Sequence, residues 1–464
     1  MQHPLSEYPR PALRRDSFES LNGPWQYAFT KAAQFPTAWD GTIRVPYSPE
    51  APASGVGRTL QPGEWLHYHR GFTPPAGQGG RVLLHFGAVD YACAVEVNGH
   101  LAGGHRGGYW PFTLDITDYL RPDRNTLWVA VQDPTGNGTQ ARGKQTLTPG
   151  GMFYHAQSGI WQTVWLERVP DNYITELTVT PDYDARTVTV KAHTAQPGGA
   201  KNLWAVVRAG GVTIAEDWGG DEADQDGEVT LNIPEKHFFP WSPDSPFLYD
   251  LTVGTTQGDE DGFDTVHSYF ALRKWSCEPD AKGILRFCLN GKPILLNGLL
   301  DQGYWPEGLY TPPSDAAVVH ELEQVKELGF NLIVSDMSNF SEMTNAINAG
   351  NADMFAMAWQ ATPDPDMFQI YHSQGGSNEK SYWIKDADLD ELIMMARQST
   401  DQTYRKTLYK QCLDIVADWA VEIPIYQRQN CVIFSAKRVN LDTVTPDITT
   451  YWTWYNDIEL LDLQ

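Results

Sequence analysis

Nothing in this sequence approaches 18 consecutive apolar residues, and its mean hydropathy is −0.41, so no segment is built to cross a membrane as a helix. Basic residues are scarce. Lys and Arg number 34 against 58 Asp and Glu, a formal charge of −24, which excludes a broad electrostatic footprint for nucleic acid or for an anionic membrane. Cysteines are few and scattered (Cys93, Cys277, Cys288, Cys412 and Cys431), with no CxxC pair. They read as buried thiols in a reducing compartment, which excludes a disulfide framework and a zinc site. The first residues, MQHPLSEYPRPALRRDSF, carry no apolar core of a secretory signal. The expectation is a soluble, acidic, cytoplasmic protein with neither a metal nor a cofactor.

Aromatic residues, by contrast, are plentiful: 17 Trp, 21 Tyr and 18 Phe make up 12% of the chain. Flat rings with polar edges suit the C–H faces of sugars, and they also fill large β-sandwich cores, so composition alone leaves both readings open. A length of 464 residues allows two to four domains.

The first 170 residues alternate short apolar runs with turn signals. RVLLHFGAVDYACAVEVNGHLAGGHRGGYWPFTLDITDYL carries an Asn98-Gly99 hairpin signal, and NTLWVAVQD and GIWQTVWLERV are further strands of period two. From Asp171 the pattern restarts, and six or seven short strands in about a hundred residues predict a second, immunoglobulin-like sandwich. Past residue 280, RFCLNGKPILLNGLL reads as a hairpin and a strand. DAAVVHELEQVKELGFN then reads as a helix with Val318, Leu322, Val325 and Leu328 on one face, stopped at Gly329, and NLIV as the next strand. One such β-α-β start implies a parallel sheet or barrel. Further on, MSNFSEMTNAINAGNADMFAMAW reads as a helix and strand. DADLDELIMMARQS and DQTYRKTLYKQCLDIVADWA read as helices with Asp388 or Asp401 as N-caps, and EIPIYQRQNCVIFS as strands.

Ordered motifs in the first 333 residues carry a resemblance. They are Leu21-Asn22-Gly23-Pro24-Trp25, Ile43-Arg44-Val45-Pro46, Asp90 through Gly99, Pro111-Phe112, Asp115-Ile116-Thr117, Ser158-Gly159-Ile160-Trp161 and Val164-Trp165-Leu166, then Trp241-Ser242-Pro243, Leu248-Tyr249, Phe270-Ala271-Leu272-Arg273, Asn290-Gly291-Lys292-Pro293 and Leu299-Asp301-Gln302-Gly303. Together they resemble glycoside hydrolase family 2, the family of β-galactosidases, β-glucuronidases and β-mannosidases. The resemblance ends near Ile333, and residues 281–333 supply only the first strand, one helix and part of the next strand of a (β/α)₈ barrel that takes roughly 250 residues. Residues 334–464 are similar instead to the C-terminal part of family 5 extracellular solute-binding proteins of ABC importers. That similarity rests on Asp353-Met354-Phe355, Trp359, Pro363-Asp364-Pro365-Asp366, Asp390-Glu391-Leu392-Ile393, Ala396-Arg397, Arg405, Leu408, Tyr409 and Ile423-Pro424-Ile425-Tyr426.

The expected architecture is mainly β: a jelly-roll sugar-binding-like domain (1–170), an immunoglobulin-like β-sandwich (171–277), the start of a truncated TIM barrel (278–333) and an α/β solute-binding-protein-like fragment (334–464). The first resemblance implies a retaining glycosidase, in which two carboxylates about 5–5.5 Å apart act as acid/base and nucleophile. In the family both are glutamates on later barrel strands, the first in an Asn-Glu pair. The one such pair here, Asn378-Glu379, lies inside the solute-binding-like segment and reads as a chance dipeptide. The expectation is therefore no catalytic residue and no hydrolysis, with at most carbohydrate binding left. Asp301, Gln302, Tyr304 and Trp305, which follow the first barrel strand, are the candidate carbohydrate-binding residues, since a carboxylate and an amide beside two rings suit a pyranose. An ordered structural loop is the competing reading. His100, His105 and Tyr109 read as a Gly-rich loop that could face the same cleft, and His67 and His69 share a strand face without a third metal ligand.

Two further readings stand beside this one. A solute- or peptide-binding importer component is one, although Thr362 stands three residues after Trp359 where peptide binders carry an Asp. The other is that the join near Val334 is an artefact of gene assembly. The uncovered face of the helix at Val318, Leu322 and Val325 predicts that mild proteolysis trims the chain towards residue 280 and leaves two protected sandwiches. Resistance of the whole chain as one cooperative unit would contradict this.

Overall fold

The computed structural model describes residues 4–77, 79–137, 140–150, 153–196, 203–219, 227–255, 264–335, 366–378, 382–419, 438–443 and 462. They divide into two compact units, residues 1–274 with 289–342, and residues 275–288 with 343–464.

The first unit opens with a two-sheet β-sandwich. Its strands are β1 (Glu19–Ser20), β2 (Gly23–Thr30), β3 (Gly41–Val45), β4 (Trp65–Phe72), β5 (Arg81–Phe86), β6 (Ala92–Val97), β7 (His100–Arg106), β8 (Phe112–Asp115), β9 (Asn125–Gln132) and β10 (Val164–Val169). One sheet runs β3-β2-β4-β9-β6-β7 and the other β1-β10-β5-β8, each pairing antiparallel. Alternation dictates the core. In β9, Leu127, Val129 and Val131 point inward to meet Leu66 and Tyr68 of β4 and Trp25 of β2, while Thr126 and Trp128 point out. Each fully buried large side chain contributes about 1.5–3 kcal/mol by leaving water. Asn98 and Gly99 turn β6 into β7 with φ of 52° and 86°, the left-handed pair that a tight hairpin requires.

A second sandwich follows: β11 (Ile174–Asp182), β12 (Thr187–Thr194), β13 (Leu203–Ala209), β14 (Val212–Gly219), β15 (Gly227–Asn232), β16 (Tyr249–Thr255) and β17 (Asp264–Phe270). Sheets β11-β12-β15 and β14-β13-β16-β17 close on a core of Val188, Val190, Leu203, Val207, Leu251, Val253 and Val266. Seven strands split three and four is the immunoglobulin-like arrangement that the sequence predicts.

A buried ion network ties the two sandwiches together. Arg15 donates to both carboxylate oxygens of Asp264 on β17 (Nε–Oδ1 3.1 Å, Nη2–Oδ2 2.7 Å) and to Glu167 Oε2 on β10 at 3.2 Å. Asp264 Oδ2 also accepts the Ile174 amide at 2.7 Å, at the start of β11. Glu167 further accepts from Arg10 and Tyr8, and His85 Nε2 lies 3.4 Å away. Arg15, Glu167 and Asp264 are each at most 4% exposed.

The same unit continues as a β-α-β segment. Strand β18 (Gly298–Asp301) runs parallel to β19 (Leu332–Ser335), with Leu300 opposite Val334, and α1 (Asp315–Glu327) connects them. Ser314 caps α1 by accepting the Ala317 amide, and Gly329 leaves it at φ 84°. No residue of α1 is buried, and Leu322 is 48% exposed. Residues 289–335 nonetheless share the compact unit of the two sandwiches, because the loop after β18 is stitched to the first of them.

In the second unit, strands Trp275–Pro279 and Leu285–Leu289 neighbour each other, with Trp275 stacked on Phe287 at 4.9 Å. Helix α2 (Phe368–Tyr371), α3 (Ala387–Arg397) and α4 (Gln402–Asp418) pack around Ile384, Leu389, Ile393, Cys412 and Val416. The caps are Asp386 and Asp401, so the expectation of Asp388 is off by two: Asp388 lies in the first turn, while Asp386 accepts the Leu389 amide. The expected elements at MSNFSEMTNAINAGNADMFAMAW and EIPIYQRQNCVIFS, and Trp359, Thr362, Glu379 and Cys431, lie outside the described residues. The four described cysteines are free, and Cys277 is half-buried where a buried thiol was expected.

Two consequences of the ion network can be measured. Arg15→Met leaves Asp264 buried without its cation and Glu167 with Arg10 alone, and urea denaturation is expected to show a loss of about 3–5 kcal/mol. Burial alone would raise the Glu167 carboxyl, but His85 and the charges of Arg10 and Arg15 outweigh it and hold the group at about 2, against 4.5 ordinarily. A depressed carboxylate contributes stability above its unfolded value, so the contribution is fully present above about pH 4.5 and is lost as pH falls towards 2. Urea midpoints between pH 6 and pH 2.5 should fall more steeply for the native protein than for Glu167→Gln.

Candidate carbohydrate site

Four residues at and just after the end of β18 were the sequence candidates, and the structure treats them differently. Gln302 Oε1 accepts from Tyr154 Oη at 2.6 Å and from Lys144 Nζ at 3.1 Å. Tyr304 stacks on Tyr154, centroids 4.0 Å apart at 18°, and its hydroxyl reaches the His155 carbonyl at 3.3 Å. Both are therefore brought onto the first sandwich, against the short parallel pair Gln145–Thr146 and Tyr154–His155. Asp301 instead folds back, accepting the Gly303 amide at 2.7 Å, and so shapes the turn. Trp305 is held by a reciprocal backbone pair with Leu309 at 2.8 and 3.0 Å.

The loop that carries them is fastened along its length. Ala53 N donates to the Glu307 carbonyl at 2.8 Å, Tyr310 N to Gln157 Oε1 at 3.1 Å, and Thr311 Oγ1 to the Trp161 carbonyl at 2.6 Å. Tyr47 Oη donates to the Pro313 carbonyl at 2.9 Å, and Leu309 packs with Tyr47 and Ala51. Such a loop holds its side chains in place before a ligand arrives, which lowers the ordering cost of binding.

Behind it stands a polar and aromatic layer that sequence reading assigned only in part. Tyr109 meets Tyr310 and Trp161 edge-on at 6.2 and 5.9 Å, and its hydroxyl accepts from Gln145 Nε2 at 2.6 Å. The same Gln145 nitrogen lies 3.4 Å from Asp90 Oδ2. Burial, with the Asp90 charge beside it, pushes the Tyr109 phenol well above its ordinary value, and burial with Tyr310 beside it does the same for Tyr304, so both stay protonated hydrogen-bonding groups. Burial likewise pushes the Glu50 carboxyl up to about 8, yet its two oxygens are committed to the Leu60 and Ser158 amides at 3.0 Å each. Glu50 is a strut in this arrangement and not a reacting acid.

His100 and His105 do not join this site. They lie on strand β7, not in a loop, and stack on Tyr119 and Phe112. His67 and His69 share the outer face of β4 as expected. Each is engaged there, His67 Nε2 with Thr30 and Ala32 and His69 Nδ1 with Gln26. Among the described residues no group of three or more His, Cys, Asp or Glu is placed to hold a metal, and no helix is long and apolar enough to cross a membrane. Lys144 and Tyr154 escaped sequence reading because they meet Gln302 only through the fold, at separations of 158 and 148 residues.

Two β-sandwiches and a β-α-β segment, joined by such a loop, make up the first unit as described. Residues 58–163 match the family model for the glycosyl hydrolase 2 galactose-binding domain-like module, and residues 172–273 that for glycosyl hydrolases family 2. A β-galactosidase of Thermoanaerobacter pseudethanolicus is 28% identical over 48% of this chain and 29% of that protein. A putative β-glucuronidase of Formosa agariphila is 25% identical over 54% of this chain and 29% of that protein. The chain thus spans under a third of the length of these relatives. Among solved structures, the β-D-glucuronidase of Dictyoglomus thermophilum aligns with a TM-score of 0.54 at 20% identity, covering 69% of this chain and 54% of that one. The Bifidobacterium dentium β-glucuronidase gives 0.55 at 20% identity over 71% and 58%. These structural likenesses show the fold. Neither family-model match reaches residues 334–464, and the solute-binding reading of that segment gains no support.

One substitution probes the layer directly. A Cβ at Gly108 would fall 2.3 Å from Asp90 Oδ1, and the Gly108 carbonyl accepts from Trp161 Nε1 at 2.7 Å. Gly108→Ala is expected to displace Asp90 and Trp161 together and to lower stability by about 1–3 kcal/mol, read by thermal denaturation and near-UV circular dichroism.

Proposed function

We propose that residues 1–335 are the carbohydrate-facing part of a family 2-type glycosidase, and that β18, α1 and β19 are the start of its barrel. The observation that carries this reading is the seating of Gln302 and Tyr304, at the C-terminal end of the first barrel-like strand, on Lys144 and Tyr154 of the galactose-binding-like module. Barrel sites form on that face of the strands. Trp305 offers a ring, Gln302 an amide donor and Asp301 a carboxylate acceptor to a glycan, while Tyr304, packed against Tyr154 and Tyr310, holds them in place.

The chain as it stands binds in this reading and does not cleave. Retaining hydrolysis takes two carboxylates about 5–5.5 Å apart, one to protonate the leaving oxygen and one to attack the anomeric carbon. The family resemblance places both on later barrel strands, and the carboxylates described at this face, Asp90 and Asp301, come from the sandwich and from β18 itself. Residues 336–464 carry no part of the proposed function.

Calorimetry of the purified chain with methyl β-galactoside, methyl β-glucuronide and β-linked galacto-oligosaccharides tests the proposal, alongside release of nitrophenol from the matching aryl glycosides. The expected outcome is saturable binding to at least one glycan, weakened roughly tenfold by Tyr304→Ala, with no nitrophenol released. Absence of binding to every glycan, or binding untouched by Tyr304→Ala, would contradict the site. Sustained nitrophenol release would contradict the statement that the chain does not cleave.

A further inference from the structure

Far from that site in the sequence, the outer face of the second sandwich's four-stranded sheet carries two tryptophans. Trp204 on β13 is in register with Trp218 on β14, with ring centroids 6.1 Å apart at 45°. Trp218 is 67% exposed. A large ring left in water forgoes the burial it would gain in a core, so exposed aromatic pairs mark surfaces that bind.

The sheet is also shaped to present them. Trp204 lies opposite Gly254 of β16, where an added Cβ would sit 2.3 Å from Cζ2 and 2.4 Å from Cε2 of the indole. The indole therefore lies over the bare glycine backbone, low against the sheet, in a position that any other residue at 254 would take away. Glycine weakens a strand interior, and a glycine there points to close approach of a neighbour.

The next register rows of the same face are polar. Glu216 and Val206 face Thr252, which accepts from Arg208 Nη1 at 3.0 Å and lies 3.3 Å from His267 Nδ1. Beyond them Asp250 is opposite Tyr269, itself 43% exposed. Ring faces beside donors and acceptors, on the outer face of a sheet, suit an extended chain of sugars better than an enclosed small molecule. A protein partner would be expected to meet an uncharged interface core, whereas Glu216 and Asp250 are interspersed here. With a formal charge of −24 on the whole chain, a polyanionic glycan would be repelled.

We propose that Trp204 and Trp218, with Arg208, Glu216, Thr252 and Tyr269, form a second carbohydrate platform, which takes a neutral polysaccharide chain. The competing explanation of the pair is a cross-strand contact that only stabilises the β13–β14 hairpin.

Native affinity electrophoresis of the full chain through gels containing galactomannan, xyloglucan or mixed-linkage β-glucan decides between them, with polygalacturonate as the charged control. At least one neutral polysaccharide is expected to retard the protein. Trp218→Ala should weaken that retardation about tenfold in apparent Kd with an unchanged melting temperature, and Trp218→Tyr should retain most of it. Tyr304→Ala should leave retardation intact, which separates this platform from the site after β18. No retardation in any neutral gel would overturn the proposal, as would equal retardation of Trp218→Ala or equally strong retardation by polygalacturonate. A Trp218→Ala effect seen only in sedimentation would make the pair a contact between copies and would equally overturn it.

Discussion

The buried guanidinium of Arg15 is the constraint on which the first unit depends. A cation removed from water is tolerated only when its charge is matched and its hydrogens are used, and here one side chain is shared between Glu167 of the first sandwich and Asp264 of the second. Arg15 also donates to the Ile174 carbonyl at 2.5 Å, at the first residue of β11. The segment before β1 thus acts as the clasp between two sheets systems that have separate apolar cores. An apolar join of the same size would hold them as firmly, but the paired charges admit only one geometry.

The loop after β18 extends that organisation to the candidate site. Its hydrogen bonds run to Tyr47, Ala53, His155, Gln157 and Trp161, so the loop belongs structurally to the first sandwich as much as to the β-α-β segment that it connects. Helix α1, by contrast, buries none of its residues, and its apolar stripe is the part of the β-α-β segment that the sandwiches do not cover. Firm loop and bare helix are consistent with a site whose sugar-holding half is built here.

Much of this was legible in the sequence, for a physical reason: period-two alternation and turn chemistry are local. Strands such as β9 and β10 and the Asn98-Gly99 hairpin follow from them directly, as do α1 and the two longer helices of the second unit. Long-range partners left no such trace. Arg15 lies 249 residues from Asp264, and nothing near either residue announces the pair. Gln302 and Tyr304 were named as candidates from their place after β18, while Lys144 and Tyr154, which contact them, were not. His100 and His105 misled because a Gly-rich stretch reads as a loop, yet Gly103 and Gly104 continue an edge strand: a Cβ at Gly104 would meet the Cys93 carbonyl of β6 at 2.8 Å. Trp204 and Trp218 were not singled out in the sequence, and only the register of β13 with β14 and β16 sets them side by side opposite Gly254.

The central claim is that residues 302–313 form a preformed surface on the first sandwich. Amide hydrogen exchange across that loop tests it most directly. The account predicts that the Trp305, Leu309, Tyr310 and Thr311 amides exchange as slowly as those of β4 and β9, before any glycan is added. Exchange of these amides within seconds, at the rate of an unstructured segment, would contradict it.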